Sequence, residues 1–176
     1  MRNINYLLLS VSIAILAVFS TQSYLVSYRF MYICIALIPL LIPFSSYPPV
    51  IEFITNNKHE MESNPYNFNQ DRTAYIITRI LSVTLITTIA FPCVRILFYF
   101  YGVNIGILGS AISNHSFCRF VEILMSSSCI LQTLTNLYMF WRSHLKSFGI
   151  AAISNICIII SYCIAYETYN SYIIIL

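Results

Sequence analysis

Residues 73–101 and 120–141 form two apolar runs, each longer than the roughly 20 residues a helix needs to cross a bilayer, and each holds an ionisable residue, Arg95 in the first and Glu122 in the second. This combination constrains the fold more than any other feature. Runs of this length require lipid as their solvent, and in lipid only helices and closed barrels satisfy the backbone. The runs are continuous instead of alternating with a period of two, which argues against a barrel. A charge inside such a run must face protein or water, so both segments are expected to belong to a bundle with a polar interior.

Composition extends this reading to the whole chain. Of 176 residues, 59% are hydrophobic and 9% charged, too few charges to cover a globular surface. The expected fold is all-α, a multi-pass transmembrane bundle of about five helices forming one integral membrane domain over residues 1–176. Hydrophobic patterning places helices near 6–20, 30–44, 73–101, 120–141 and 148–166, with a polar loop at 55–72. The nine Lys and Arg are scattered, and no basic tract suggests nucleic acid. The six cysteines show no C-x-x-C spacing and read as buried free thiols. No metal and no cofactor is expected.

Arg2 followed by an apolar stretch at 6–19 and Val18-Phe19-Ser20 fits a secretory signal, and equally a first transmembrane helix or signal anchor. An uncleaved helix is the expectation. In the second helix Pro39 and Pro43 should kink or end the run, and the segment 45–50, with Pro48 and Pro49, reads as unable to continue a regular helix. Residues 51–54 then read as interfacial. In the polar loop, His59, Glu60 and Glu62 read as solvated side chains instead of metal ligands.

The third helix is long enough to tilt, to kink at Pro92 or to extend beyond the lipid. Arg79, near its start, can snorkel to the headgroups. Thr84, Thr88, Phe91 and Arg95 share one face, which gives Arg95 polar company. Gly102, Gly106 and Ser110 repeat at intervals of four, a close-packing pattern in what reads as either a plain loop or a short re-entrant helix.

The fourth helix carries the sharpest pattern. Glu122, Ser126, Cys129, Thr133 and Asn136 follow steps of four, three, four and three and fall on one stripe. Such a stripe either holds a bundle together by interhelical hydrogen bonds or walls a lipid headgroup or ion site. Arg95, Glu122, Ser126, Thr133 and Asn136 are therefore the candidate intramembrane polar site; no catalytic residue is assigned.

If the turn carrying Arg142 and Lys146 is cytoplasmic, alternation of five helices puts Arg2, Lys58, Arg72, Arg142 and Lys146 inside and Arg29 and Arg119 outside. That bias predicts a cytoplasmic amino terminus and a non-cytoplasmic carboxyl terminus. Helices three and four then run antiparallel, with Arg95 and Glu122 near the same interface, and an ion pair between them is expected, since either charge left alone in mid-membrane costs about 2.5–3.5 kcal/mol.

Three segments in order resemble a known family. Phe91-Pro92-Cys93-Val94-Arg95-Ile96 is similar to the F-x-x-x-R-[IL] segment of TLC domain proteins, the membrane family that includes ceramide synthases. Glu62-Ser63-Asn64-Pro65-Tyr66-Asn67-Phe68 resembles the family's E-x-S-T-P-F-x-N segment. The run from Leu131-Gln132 through Asn136-Leu137-Tyr138-Met139-Phe140-Trp141 resembles its closing L-Q and N-x-Y-W-F pattern. The resemblance covers about residues 62–141. Catalytic members carry a histidine pair on an earlier helix, and this chain has no adjacent histidines, with His59, His115 and His144 all in expected loops. What the resemblance implies is therefore lipid binding or membrane lipid homeostasis without synthesis. The alternative is a structural accessory subunit of a larger membrane complex, with the polar stripe packed against partner helices.

Overall fold

The computed structural model describes the backbone at residues 2–22, 27–63, 68–105 and 108–175, and side chains at 3–21, 27, 30–57, 72–97 and 117–171. The described chain is helical, with no strand. Its elements are α1 (Arg2–Gln22), α2 (Tyr28–Leu37), a single 3-10 turn (Ile38–Leu40), α3 (Leu41–Ser63), α4 (Phe68–Ile105), α5 (Leu108–Ser143) and α6 (Lys146–Ile175). Five stretches are long and apolar enough to cross a membrane: Asn3–Thr21, Phe30–Asn57, Arg72–Leu97, Phe117–Ser143 and Lys146–Ser171. Length and hydropathy thus make this a multi-pass integral membrane protein.

The second span differs from expectation. The Pro-containing segment does not end the helix: Pro39 tightens one turn into 3-10 geometry, and α3 continues through Pro48 and Pro49. Proline removes a backbone donor and frees a carbonyl one turn earlier, which would break a helix in water. Inside a bundle, packing against neighbouring helices offsets that cost, and here Ser45 and Ser46, in the turn before the two prolines, bond to Asn155 and Asn136 of other helices. The polar stretch at 55–72 is also mostly helical, split between the end of α3 and the start of α4. Likewise α4 and α5 are longer than expected and take up most of the connection around 102–118. Side chains of the Gly102/Gly106/Ser110 pattern, and those of His59, Glu60 and Glu62, lie outside the described residues.

Antiparallel pairing of neighbouring spans follows from which residues meet. Thr84 and Thr87 on α4 face Ser128 on α5, while Thr73 near the start of α4 meets Arg142 near the end of α5. Phe53 of α3 packs edge-on against Phe148 at the start of α6, and Tyr32 of α2 packs against Tyr169 at its end. Helix α6 is the centre of the bundle, with α1, α2, α3 and α5 as neighbours. Its Ser147, Ala151, Ser154, Ile158, Ser161 and Ala165 recur at steps of four and three and are all buried. Mostly small side chains on that stripe let neighbouring backbones approach closely.

The interior is layered. One apolar cluster contains Phe19, Met31, Ile35, Ile42, Phe91, Met125 and Ile158; a second, nearer the α5–α6 turn, contains Val50, Phe53, Ile77, Leu81, Met139 and Phe148. Between them every inner helix contributes polar side chains: Ser45 and Ser46, Thr84 and Thr88, Gln132 and Asn136, and Asn155, all buried. Outside, Leu7, Ile86, Ile123, Leu134 and Trp141 are exposed. Polar groups inside and large apolar groups outside reverse the order expected in water and fit lipid as the surrounding solvent.

Candidate functional site

The five residues of the candidate polar site divide among three places. Asn136 belongs to the mid-bundle layer. Its Nδ2 donates to Ser46 Oγ at 2.8 Å, and Asn155 Nδ2 donates to the same oxygen at 3.1 Å. Ser45 Oγ donates to Asn155 Oδ1, and Gln132 Nε2 reaches Asn136 Oδ1 at 3.3 Å. Thr133, one turn away, is buried but donates to the Cys129 carbonyl of its own helix at 2.8 Å. This layer ties α3, α5 and α6 together, the bundle-holding role for which the α5 stripe is suited.

Arg95 sits in an aromatic enclosure. Its guanidinium carbon lies 5.0 Å from the Tyr32 ring centroid, 5.4 Å from Phe91 and 5.9 Å from Tyr169. Cation–π contacts of this kind hold a guanidinium in a dry setting without a counter-ion. The Tyr32 hydroxyl also donates to the Arg95 carbonyl at 2.7 Å. The buried face of Thr84, Thr88, Phe91 and Arg95 forms as its spacing predicts, with the first three fully buried.

The expected ion pair is absent. No Arg95 nitrogen lies within 4.0 Å of a Glu122 oxygen, Arg95 Nη1 has no hydrogen-bond partner, and Glu122 Oε1 instead accepts from the Tyr162 hydroxyl at 2.8 Å. The physical reason is the tyrosine-rich end of α6. Tyr162 packs edge-on against Phe91 and stacks on Tyr166, while Tyr169 covers Arg95. These rings supply each charge with its own partner.

Glu122 and Ser126 border the third place, an outward-facing groove along α5 and α6. Its first part, about 370 Å³, is edged by Arg119, Glu122, Ser126, Ser127 and Tyr166. The second part, about 140 Å³, is lined by Pro39, Ile42, Met125, Cys129, Ile158, Ile159 and Cys163, and the two share Ser126 and Ile130 as a common wall. One end of the groove is thus charged, close to the start of the Phe117–Ser143 span, and the other is apolar and deeper in it.

Two further depressions, of about 340 and 270 Å³, flank Arg142 at the opposite end of the bundle. Arg142 is already engaged there, with Nη1 3.1 Å from Thr73 Oγ1 and 3.5 Å from the Tyr138 hydroxyl. Among the described residues no group of three His, Cys, Asp or Glu is placed to hold a metal, and all six cysteines are free.

Sequence patterning alone did not single out Ser45, Ser46, Gln132, Asn155, Arg119, Tyr162 and Tyr166. Asn155 carried a usable signal, an amide inside an apolar run. Ser45 and Ser46 were hidden by the prolines that follow them, and the tyrosines by the abundance of aromatics. No protein-family model, curated protein or solved structure matches this chain.

Proposed function

We propose that this is a non-catalytic membrane protein that binds a lipid along α5 and α6, in a role of membrane lipid binding or homeostasis. One observation carries the reading: the groove joins a charged mouth at Arg119 and Glu122 to an apolar stretch at Ile130, Ile159 and Cys163. A membrane lipid has that same polarity along its length. Its headgroup belongs at the level of the span's end, and its chain belongs deeper, against Ile130, Ile159 and Cys163. The resemblance of residues 62–141 to TLC proteins, in a chain with no adjacent histidines, points the same way.

Orientation belongs to the same proposal. Arg2, Lys58, Arg72, Arg142 and Lys146 fall at one end of the alternating spans, and Arg29 and Arg119 at the other. The positive-inside bias then puts the amino terminus in the cytoplasm and the groove's charged mouth in the non-cytoplasmic leaflet.

Purification in mild detergent followed by native mass spectrometry tests the function. A lipid adduct that survives desolvation, and that Ile130→Trp removes by filling the groove, is the expected result. Stoichiometric partner proteins with no lipid would support an accessory subunit and contradict the lipid-binding reading.

A further inference from the structure

We infer that the mouth of the groove selects a zwitterionic phospholipid bearing a primary ammonium headgroup; this rests on the lipid-binding reading above. Arg119 and Glu122 are three residues apart on α5, a spacing that puts their side chains on one face within mutual reach. Yet no nitrogen–oxygen contact within 4.0 Å joins them, and Arg119 has no hydrogen bond to any described residue. Two opposite charges that fail to neutralise each other, on the edge of one depression, form a receptor for a ligand with two opposite charges.

The ligand's chemistry follows from each group in turn. Arg119 is exposed and offers five donors, which match a phosphate diester. Glu122 is half-buried. Its Oε1 is oriented by the Tyr162 hydroxyl, while Oε2 has no hydrogen bond among the described residues and remains available to a donor. A primary ammonium supplies three N–H donors to such an oxygen; a trimethylammonium supplies none. Recognition of the trimethylated group relies on a cage of aromatic faces, and of the described tyrosines on α6 only Tyr166 borders the mouth, with its ring stacked on Tyr162 at 6.1 Å. An anionic lipid without an amine would satisfy Arg119 and leave Glu122 with no cation. An ethanolamine-type headgroup satisfies both, since its phosphate and ammonium are joined by a short two-carbon linker.

The test uses the full chain in nanodiscs containing equal parts of phosphatidylethanolamine, phosphatidylcholine, phosphatidylglycerol and diacylglycerol, with retained lipid read by native mass spectrometry. Phosphatidylethanolamine should be enriched over each competitor by roughly tenfold, the equivalent of one charge-assisted hydrogen bond. Glu122→Gln, which keeps an oxygen for Tyr162, should abolish the preference over phosphatidylcholine and phosphatidylglycerol. Arg119→Gln, at an exposed position, should reduce the preference over diacylglycerol, which lacks a phosphate, and leave the preference over phosphatidylcholine, without unfolding the bundle. Lipid retained with no headgroup preference would overturn this inference and leave the acyl groove standing. No lipid retained at all would overturn both.

Discussion

Asn136 of α5 donates a 2.8 Å hydrogen bond to Ser46 of α3, a residue 90 positions earlier, with both side chains fully buried. Because Asn155 of α6 donates to the same hydroxyl, one serine oxygen joins three spans. Ser46→Ala would leave two buried amide donors without an acceptor. Interhelical hydrogen bonds in membranes are worth about 0.6 kcal/mol on average and about 1.7 at most, so Ser46→Ala should destabilise the bundle by about 1–3 kcal/mol. Reversible unfolding in detergent or bicelles measures it. A double-mutant cycle of Ser46→Ala with Asn136→Ala should show positive coupling, and additive effects would show that the layer is not connected as described.

Glu122 depends on Tyr162, not on Arg95. Tyr162→Phe should therefore destabilise the protein toward the low end of the roughly 1.5–3 kcal/mol typical of hydrogen bonds to charged groups, because Glu122 is partly open. Glu122→Gln retains an acceptor for the same hydroxyl and should cost less. The cycle pairing Tyr162→Phe with Glu122→Ala, which removes the acceptor, should reveal coupling, whereas Arg95→Met with Glu122→Gln should be additive.

Arg95 is held by rings. Replacing it with Met should cost about 2 kcal/mol, the scale of a desolvated cation–π contact, with Arg95→Lys falling between Met and the native residue. Tyr32→Phe keeps its ring over the guanidinium and loses only the bond to the Arg95 carbonyl, so it should cost about 1 kcal/mol. Equal losses for Arg95→Lys and Arg95→Met in a denaturation series would contradict the aromatic enclosure.

The turn between α5 and α6 has a backbone signature of its own. His144 follows the last residue of α5 with φ 54°, and its N–H closes the helix on the Phe140 carbonyl at 3.0 Å. This is a left-handed helix cap, a position suited to glycine. His144→Gly should be neutral or stabilising by up to about 1 kcal/mol, while His144→Val should destabilise by about 1–2 kcal/mol, since a β-branched side chain resists that conformation. Thermal unfolding of the two variants should rank them in that order.

The legible part of this fold was the part set by solvent. Continuous apolar runs determine helices in lipid whatever their detailed neighbours, so the spans around Arg95 and Glu122 could be read from hydropathy. The α5 stripe was legible because helical periodicity alone places Cys129, Thr133 and Asn136 on one buried face. Partner choice was not legible. Which charge Glu122 meets depends on where Tyr162, 40 residues away, projects from α6, and no local pattern encodes that. Helix continuity through Pro48 and Pro49 was hidden for a related reason: the bonds that tie this turn into the bundle, from Ser45 to Asn155 and from Asn136 to Ser46, are tertiary. The groove is the least legible feature, because it is shape between two helices.

Photocrosslinking with a phospholipid carrying a diazirine in its acyl chain, followed by peptide mapping, tests lipid binding in the groove most directly. Labels concentrated on Ile130, Ile159 and Cys163, the groove residues that are not fully buried, and lost in Ile130→Trp, are the predicted result. Labelling no stronger there than at freely exposed lipid-facing positions such as Val83 and Ile86 of α4 would mean that the groove holds no lipid, and the account would be wrong.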